Sequence, residues 1–462
     1  MNTRERYAPA AVETVFEADA DTHPPELVPP PAFPLETLVP EARKQTPAVG
    51  RRVPRADTRA HVLGQTRYIE DLSFPGMLHA RIKRADIAAA LITHIDTTAA
   101  ERMPGVVAVL TGREIPVNSF GPSLQDQPVL AQDRVRHAGD GVAAVAAVDE
   151  ETAAEALEKI EIEYEPLPAV FDPLEALAPD APLVHPSRSN VYASRTLRKG
   201  DVARGFAASY RIFEARYRTQ MVEHVSIEPH AAIADWDANG RLTIWSTLGR
   251  ITLGRADLSR TLALPLNRIR VIGSVVGGNF GGKNEITQEP VLALLSKKAG
   301  RPVRGVFTRT EEFTATTVRH PFIMDYKTGV NREGRILACE VQLTLDGGAY
   351  CSWTETTLGK ACILSAGPYN IENVHVEARA VYTNKTVSGA MRGFGAPQVC
   401  FAYESQMDDI AQALGMDPVE IRLLNAFHEG SLSPTGQVLH SVVVKETLRS
   451  AAERFGWTER PT

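Results

Sequence analysis

From Asn267 the run Asn-Arg-Ile-Arg-Val-Ile-Gly-Ser alternates polar and apolar residues, the two-residue period of a strand with one buried face. Beyond it, Leu292, Leu294 and Leu295 mark a helix from about Gln288 to Lys298. The same two periods recur along most of the chain. Gly141 to Ala147 is an apolar strand, and Glu150 to Ile160 is an amphipathic helix with alanines and Leu157 on one face. Ile160 to Tyr164 is the next strand. Further strands are expected over Leu242–Leu248, Arg301–Phe307, Met324–Val330, Ile336–Leu345 and Val374–Tyr382, with a hairpin turn at Asn331–Gly334. Helices are expected over Ala203–Ala208, Arg255–Leu264, Thr310–Val318, Pro397–Leu414 and Lys445–Phe455. Asp417-Pro-Val-Glu420 sets an N-cap, an N1 proline and an N3 glutamate at the head of one more, running to Phe427. Elements mixed in this order predict an α+β fold. Residues 1–49 break the pattern: their nine prolines resist helix and sheet alike and read as an extended arm, either a tail or a wrap around a partner.

Between the Asn267 strand and the Gln288 helix lies Val275-Val-Gly-Gly-Asn-Phe-Gly-Gly-Lys283. Gly277, Gly278, Gly281 and Gly282 bracket one aromatic, Phe280. A strand, a glycine loop and a helix in succession let backbone N–H groups approach an anion closely. The spacing is neither Gly-x-Gly-x-x-Gly nor Gly-x-x-x-x-Gly-Lys-Ser/Thr, so nucleotide-loop readings fail. Glycine pairs alone would fit a turn that needs positive φ. A second glycine–aromatic run downstream, Gly389-Ala-Met-Arg-Gly-Phe-Gly-Ala-Pro-Gln398, weighs against that plainer reading.

At 462 residues the chain should hold two or three domains. Its 44% apolar content and net charge of −6 are those of an ordinary globular protein. No clustered basic surface points to nucleic acid. No apolar run is long enough to span a membrane, and no signal pattern opens the chain, so a cytoplasmic location is expected. The four cysteines, Cys339, Cys351, Cys362 and Cys400, are too scattered for a zinc or iron–sulfur site and read as buried free thiols. Glu223, His224, Glu228 and His230 are close together, but Pro229 and the strand-like alternation keep them off one helical face. No metal held by protein side chains is expected. His61 and His137 read as surface or packing residues.

Gly-Gly-Asn-Phe-Gly-Gly-Lys and Ala-Met-Arg-Gly-Phe-Gly-Ala-Pro-Gln together resemble the molybdopterin-contacting loops of the molybdenum hydroxylases, the xanthine dehydrogenase and aldehyde oxidase family. The likeness runs over residues 50–455. It implies an α/β hammerhead domain over 50–175 and the first molybdopterin-binding domain over 176–462, after the arm of 1–49. The Glu228-Pro-His230 segment would then be a structural hairpin. The implied cofactor is molybdopterin carrying molybdenum on its dithiolene sulfurs, with the cytosine dinucleotide form as one option. Gly278, Phe280, Gly281 and Arg392 fall where that family meets the cofactor. Leu248 falls where the family uses a glutamine that bonds the apical oxo group, a bond leucine cannot make. Phe394 falls where an aromatic stacks on a planar substrate. Lys360 aligns with the substrate-polarising arginine of xanthine-type enzymes, and Asn284 with their glutamate. Losing both argues against purines and leaves aromatic, heteroaromatic or alicyclic substrates. Gly393 stands where carbon monoxide dehydrogenases keep a copper-binding cysteine.

Complete large subunits of that family continue well past this length, through a second molybdopterin-binding domain that carries the glutamate base. No Gly-x-Gly-Glu-Pro-like run follows Phe394, and neither loop offers a group suited to deprotonate water. No catalytic residue is therefore expected in this chain. The resemblance implies the N-terminal piece of a split large subunit, laid out as in the family's two-chain nicotinate dehydrogenase. Its partners would be a second molybdopterin-domain chain with the glutamate, an iron–sulfur subunit with 2Fe-2S clusters and an FAD subunit. The implied reaction is oxidation of a substrate carbon with water as oxygen source. A non-redox hydratase, permitted by Leu248, and a non-catalytic scaffold are the two other readings.

Overall fold

The computed structural model describes residues 12–18 and 54–457. Among those residues three sheets carry the architecture. The first has six strands in the order Val12–Ala18, Val191–Lys199, Asn373–Tyr382, Ile336–Gly348, Phe322–Val330 and Arg211–Arg218. Its long central hairpin turns at Asn331, whose side-chain oxygen accepts from Arg335 N at 2.8 Å. Phe322, Met324, Leu343, Leu345 and Val376 fill the core beneath helices Thr354–Leu364 and Ala396–Leu414. The second sheet has seven strands: Ile269–Gly273, Leu242–Ser246, Ala231–Trp236, Val303–Val306, Leu78–Arg84, Gly141–Ala147 and Val106–Thr111. It runs across residue 175, because Val303 pairs in parallel with Leu78. Alanines at 144, 146, 232 and 234 keep this sheet thin, so helix Glu289–Ala299 lies close and buries Leu292 and Leu295. The third sheet, Arg134–Val135, Ala90–Asp96 and Glu161–Pro166, closes the N-terminal part. The mixed strands and helices are the α+β fold that the periodicity predicts.

Most elements fall within a few residues of expectation, and the differences have local causes. Helix Arg309–Ala315 starts on Thr308, whose side chain accepts from Glu311 N while Glu311 reaches back to the Thr308 N–H. Val12–Ala18 pairs in parallel with Val191–Lys199, where the composition predicts no sheet. That stretch lacks proline and carries the strand-favouring Val12, Thr14, Val15 and Phe16; the prolines lie outside it. The rest of the arm lies outside the described residues. Helix Thr354–Leu364 has no counterpart among the expected elements, since threonines and Gly359 are poor helix formers. Burial of Leu358, Ala361 and Cys362, spaced three and four apart, overrides that propensity. Cys339, Cys351 and Cys362 are buried, but Cys400 is exposed, facing outward on helix Ala396–Leu414. Among the described residues, no helix is long and apolar enough to cross a membrane.

Candidate functional site

The two glycine–aromatic loops meet. Arg392 N donates to the Phe280 carbonyl at 2.8 Å, and a Cβ built on Gly281 would lie 2.3 Å from the Ala390 oxygen. Phe280 and Phe394 both adopt positive φ, +50° and +48°, each beside glycines that do the same. For a bulky L-residue this is strained backbone, held only where its surroundings enforce it. Asn279 supplies part of that enforcement, its side-chain oxygen accepting from Gly281 N at 2.8 Å and Lys283 N at 3.2 Å. Among the described residues, the N–H groups of Gly278, Asn279 and Phe280 make no hydrogen bond within the chain.

The segment Glu223–His230, singled out in the sequence for its clustered ligand-type residues, braces this junction. The Glu228 carboxylate accepts from Gly277 N at 2.7 Å and from Lys283 Nζ at 2.8 Å. Lys283 also donates to the Glu228 carbonyl at 2.8 Å. Burial draws the Lys283 ammonium below its ordinary pKa, and the hydrogen bond and charge of Glu228 work against that. His230 Nε2 lies 3.1 Å from the Gly282 carbonyl, and its Nδ1 lies 2.9 Å from Glu312. Burial would raise the Glu312 carboxyl, but His230 outweighs it and holds the group below the usual range. His224 Nε2 donates to the Ala390 carbonyl of the second loop at 2.8 Å. Burial lowers the pKa of His224, which suits a neutral ring with one donor. Glu228, His230 and His224 each serve a loop, Glu223 turns back to accept from Val225 N, and the four do not converge on a shared centre.

The remaining residues singled out in the sequence separate into two sets. Phe394, Lys360 and Arg392 lie together on the accessible side: the Lys360 ammonium sits 5.6 Å from the centre of the Phe394 ring, and Arg392 is exposed. Lys360 is exposed on helix Thr354–Leu364, its ammonium outside the core although its neighbours in sequence are apolar. Asn284 accepts from Asn279 Nδ2 at 3.5 Å and is half-buried. Leu248 is turned away. Its side chain is buried among core residues and presses on Gly254, where an added Cβ would meet it at 2.0 Å. The strand ends at Ser246, whose hydroxyl accepts from Leu248 N at 3.0 Å and so turns the leucine inward.

Four residues beside these loops stand in no motif that the sequence offers. Glu285 follows Asn284 and accepts a hydrogen bond from the Ser352 hydroxyl; Ser352 itself sits at φ +44°. Trp353 packs edge-on to Phe394 at 6.3 Å, and the Arg250 guanidinium lies 4.5 Å from the centre of the Trp353 ring. Burial pushes Glu285 from 4.5 up to about 7, against the pull of the Ser352 hydrogen bond. A carboxyl raised in the folded state stabilises fully below its unfolded pKa, and that stability is lost as pH climbs through the folded value. Glu285 should therefore cost the native state about 2–3 kcal/mol between pH 5 and pH 8. Glu285→Gln is expected to flatten that part of the slope in denaturant midpoints measured at the two pH values. An unchanged slope would mean the carboxyl ionises freely.

The arrangement fits a flat anionic cofactor: unpaired backbone donors on one glycine loop, a second loop locked against it, and an exposed arginine at their junction. Comparison with known proteins agrees. Residues 184–426 match the molybdopterin cofactor-binding domain, and residues 63–168 match the aldehyde oxidase and xanthine dehydrogenase a/b hammerhead domain. The chain is 38% identical over 413 residues to the nicotinate dehydrogenase large molybdopterin subunit of Eubacterium barkeri, covering 89% of this chain and 97% of that one. It is 36% identical to the xanthine dehydrogenase molybdenum-binding subunit of Escherichia coli O157:H7, covering 88% of this chain but 56% of the relative. The aldehyde oxidoreductase structure from Desulfovibrio gigas superimposes with a TM-score of 0.86 at 30% identity, covering 92% of this chain and 49% of that one. The chain thus spans nearly all of the first relative and about half of the other two.

Proposed function

This chain belongs to the aldehyde oxidase and xanthine dehydrogenase family of molybdopterin-binding oxidoreductases, and from that premise we propose that it is the cofactor- and substrate-facing subunit of a molybdenum hydroxylase for a cyclic or aromatic, non-purine substrate. The observation that carries the reading is the hydrogen bond from Arg392 N to the Phe280 carbonyl, which holds both loops and both aromatics at one junction. When bound, the molybdenum–pterin group supplies two-electron oxidation of a substrate carbon, with water as the oxygen source. The N–H groups of Gly278, Asn279 and Phe280 would hold its anionic edge, and Arg392 would add charge. Phe394 offers a ring face to a planar substrate, and Lys360 a donor to a substrate acceptor. Asn284 and Lys360 in place of a glutamate and an arginine support the non-purine substrate. The name of the Eubacterium barkeri relative points toward heteroaromatic rings.

The base is assigned to a second molybdopterin-domain chain, as part of a split large subunit. An iron–sulfur subunit and an FAD subunit would take the electrons away, and the cytosine dinucleotide is an open form of the pterin. With Leu248 packed into the core, the hydration reading has no residue behind it. The test is the co-purified complex. Molybdenum and pterin should be present in proportion to this chain, and Phe394→Ala should keep both while slowing ring oxidation about 2- to 10-fold. A complex free of molybdenum, or molybdenum lost in step with activity in the variant, would contradict the assignment.

A further inference from the structure

Arg250, Trp353, Phe394 and Lys360 form a continuous row beside the loops: cation, ring, ring, cation. Both cations are exposed, and among the described residues neither has an ion-pair partner. An exposed cation over a ring can be packing alone, worth little in water. Three further features give this row a chemical direction. Arg250 and Trp353 are the N-cap residues of helices Ile251–Thr261 and Thr354–Leu364, and neither forms a side-chain cap hydrogen bond. The positive ends of two helices therefore flank the contact between them. The Trp353 Nε1 donor is buried without a partner. Asn284, on the adjoining loop, brings no negative charge to offset the cations.

We propose that this row selects the substrate and takes a planar ring bearing a carboxylate, with the ring against Phe394 and Trp353 and the carboxylate on the Arg250 guanidinium. Arg250 is the specificity-determining residue: its fork matches the two carboxylate oxygens, and stacking on Trp353 keeps it oriented. Lys360, at the far end, adds positive potential and a donor for a second acceptor on the ring. This assignment rests on the reading that Phe394 faces substrate, and the experiment separates the two.

The probes are benzoate and its neutral isostere benzamide, titrated calorimetrically into the intact complex. Benzoate should bind on the order of 10-fold more tightly, since charged hydrogen bonds exceed neutral ones by that margin. Arg250→Gln should erase the preference while leaving benzamide binding and molybdenum content unchanged. Arg250→Lys should restore only part of it, because a point charge lacks the fork. Phe394→Ala should weaken both probes alike. Equal binding of the two probes by the unaltered complex, or a preference that survives Arg250→Gln while Phe394→Ala weakens both, overturns the carboxylate assignment alone. Phe394→Ala leaving both probes untouched would instead overturn the placing of substrate on this face.

Discussion

Gly281→Ala should strip the complex of molybdenum and pterin while leaving its secondary structure intact. Gly281 sits at φ +113°, where an L-side chain is strained, and its added Cβ would lie 2.3 Å from the Ala390 oxygen and 3.1 Å from Met391 Cα. Both neighbours are backbone, so no rotamer change relieves the overlap. The loops must separate, and the bond from Arg392 N to the Phe280 carbonyl goes with them. Strain alone at such a position costs about 1–2 kcal/mol; the overlap comes on top and falls on the cofactor junction. Gly64→Ala is the control for strain without contact, since φ is +66° there and nothing lies within 4 Å of the added Cβ. Gly278→Ala is the intermediate case: φ is +111°, and the neighbours at 3.2 Å are the Phe280 ring, which can swing away, and Ser226 Cβ, which need give only a few tenths of an ångström. Elemental analysis should rank cofactor loss Gly281 first, Gly278 second and Gly64 last. Equal loss from Gly281 and Gly278 variants would show that the loops need not touch.

That ordering depends on where the information lies in the chain. Both loops were legible because their chemistry is contiguous: glycines that permit positive φ sit next to the aromatics they present. The strands and the larger helices were legible for a similar reason, since periodicity is a local property. The bracing was not. Glu228 reaches Gly277 and Lys283, His230 reaches Glu312, and His224 reaches Ala390, all across distant stretches of sequence. The cluster Glu223–His230 was conspicuous in sequence, yet its purpose appears only when the two loops stand on either side of it. Leu248 shows the opposite hazard, in that a matching position does not fix which way a side chain turns. A strand that ends at Ser246 sends it into the core. Trp353 and Arg250 lie in unremarkable sequence and gain meaning only from touching each other.

The brace itself carries the largest expected stability effect. Lys283 is 1% exposed, and its ammonium has two acceptors, the Glu228 carboxylate and carbonyl, each at 2.8 Å. Glu228→Gln keeps the shape but removes the counter-charge, leaving a buried cation with neutral acceptors. Breaking a buried pair from one side typically costs about 3–5 kcal/mol. The variant should lose stability on that scale in denaturant midpoints, measured on the complex. Adding Lys283→Met should recover more than half of the loss, because apolar groups of similar volume often replace a buried pair at little cost. Cofactor content should not follow the same course. Without Lys283 the Glu228 carbonyl and side chain lose the donor that holds them against Gly277, so the doubly altered chain should be stable yet poorly loaded. If single and double variants are equally destabilised, the loss comes from packing and not from the unpaired ammonium. If the stable double variant loads normally, Glu228 holds up the fold without shaping the loop.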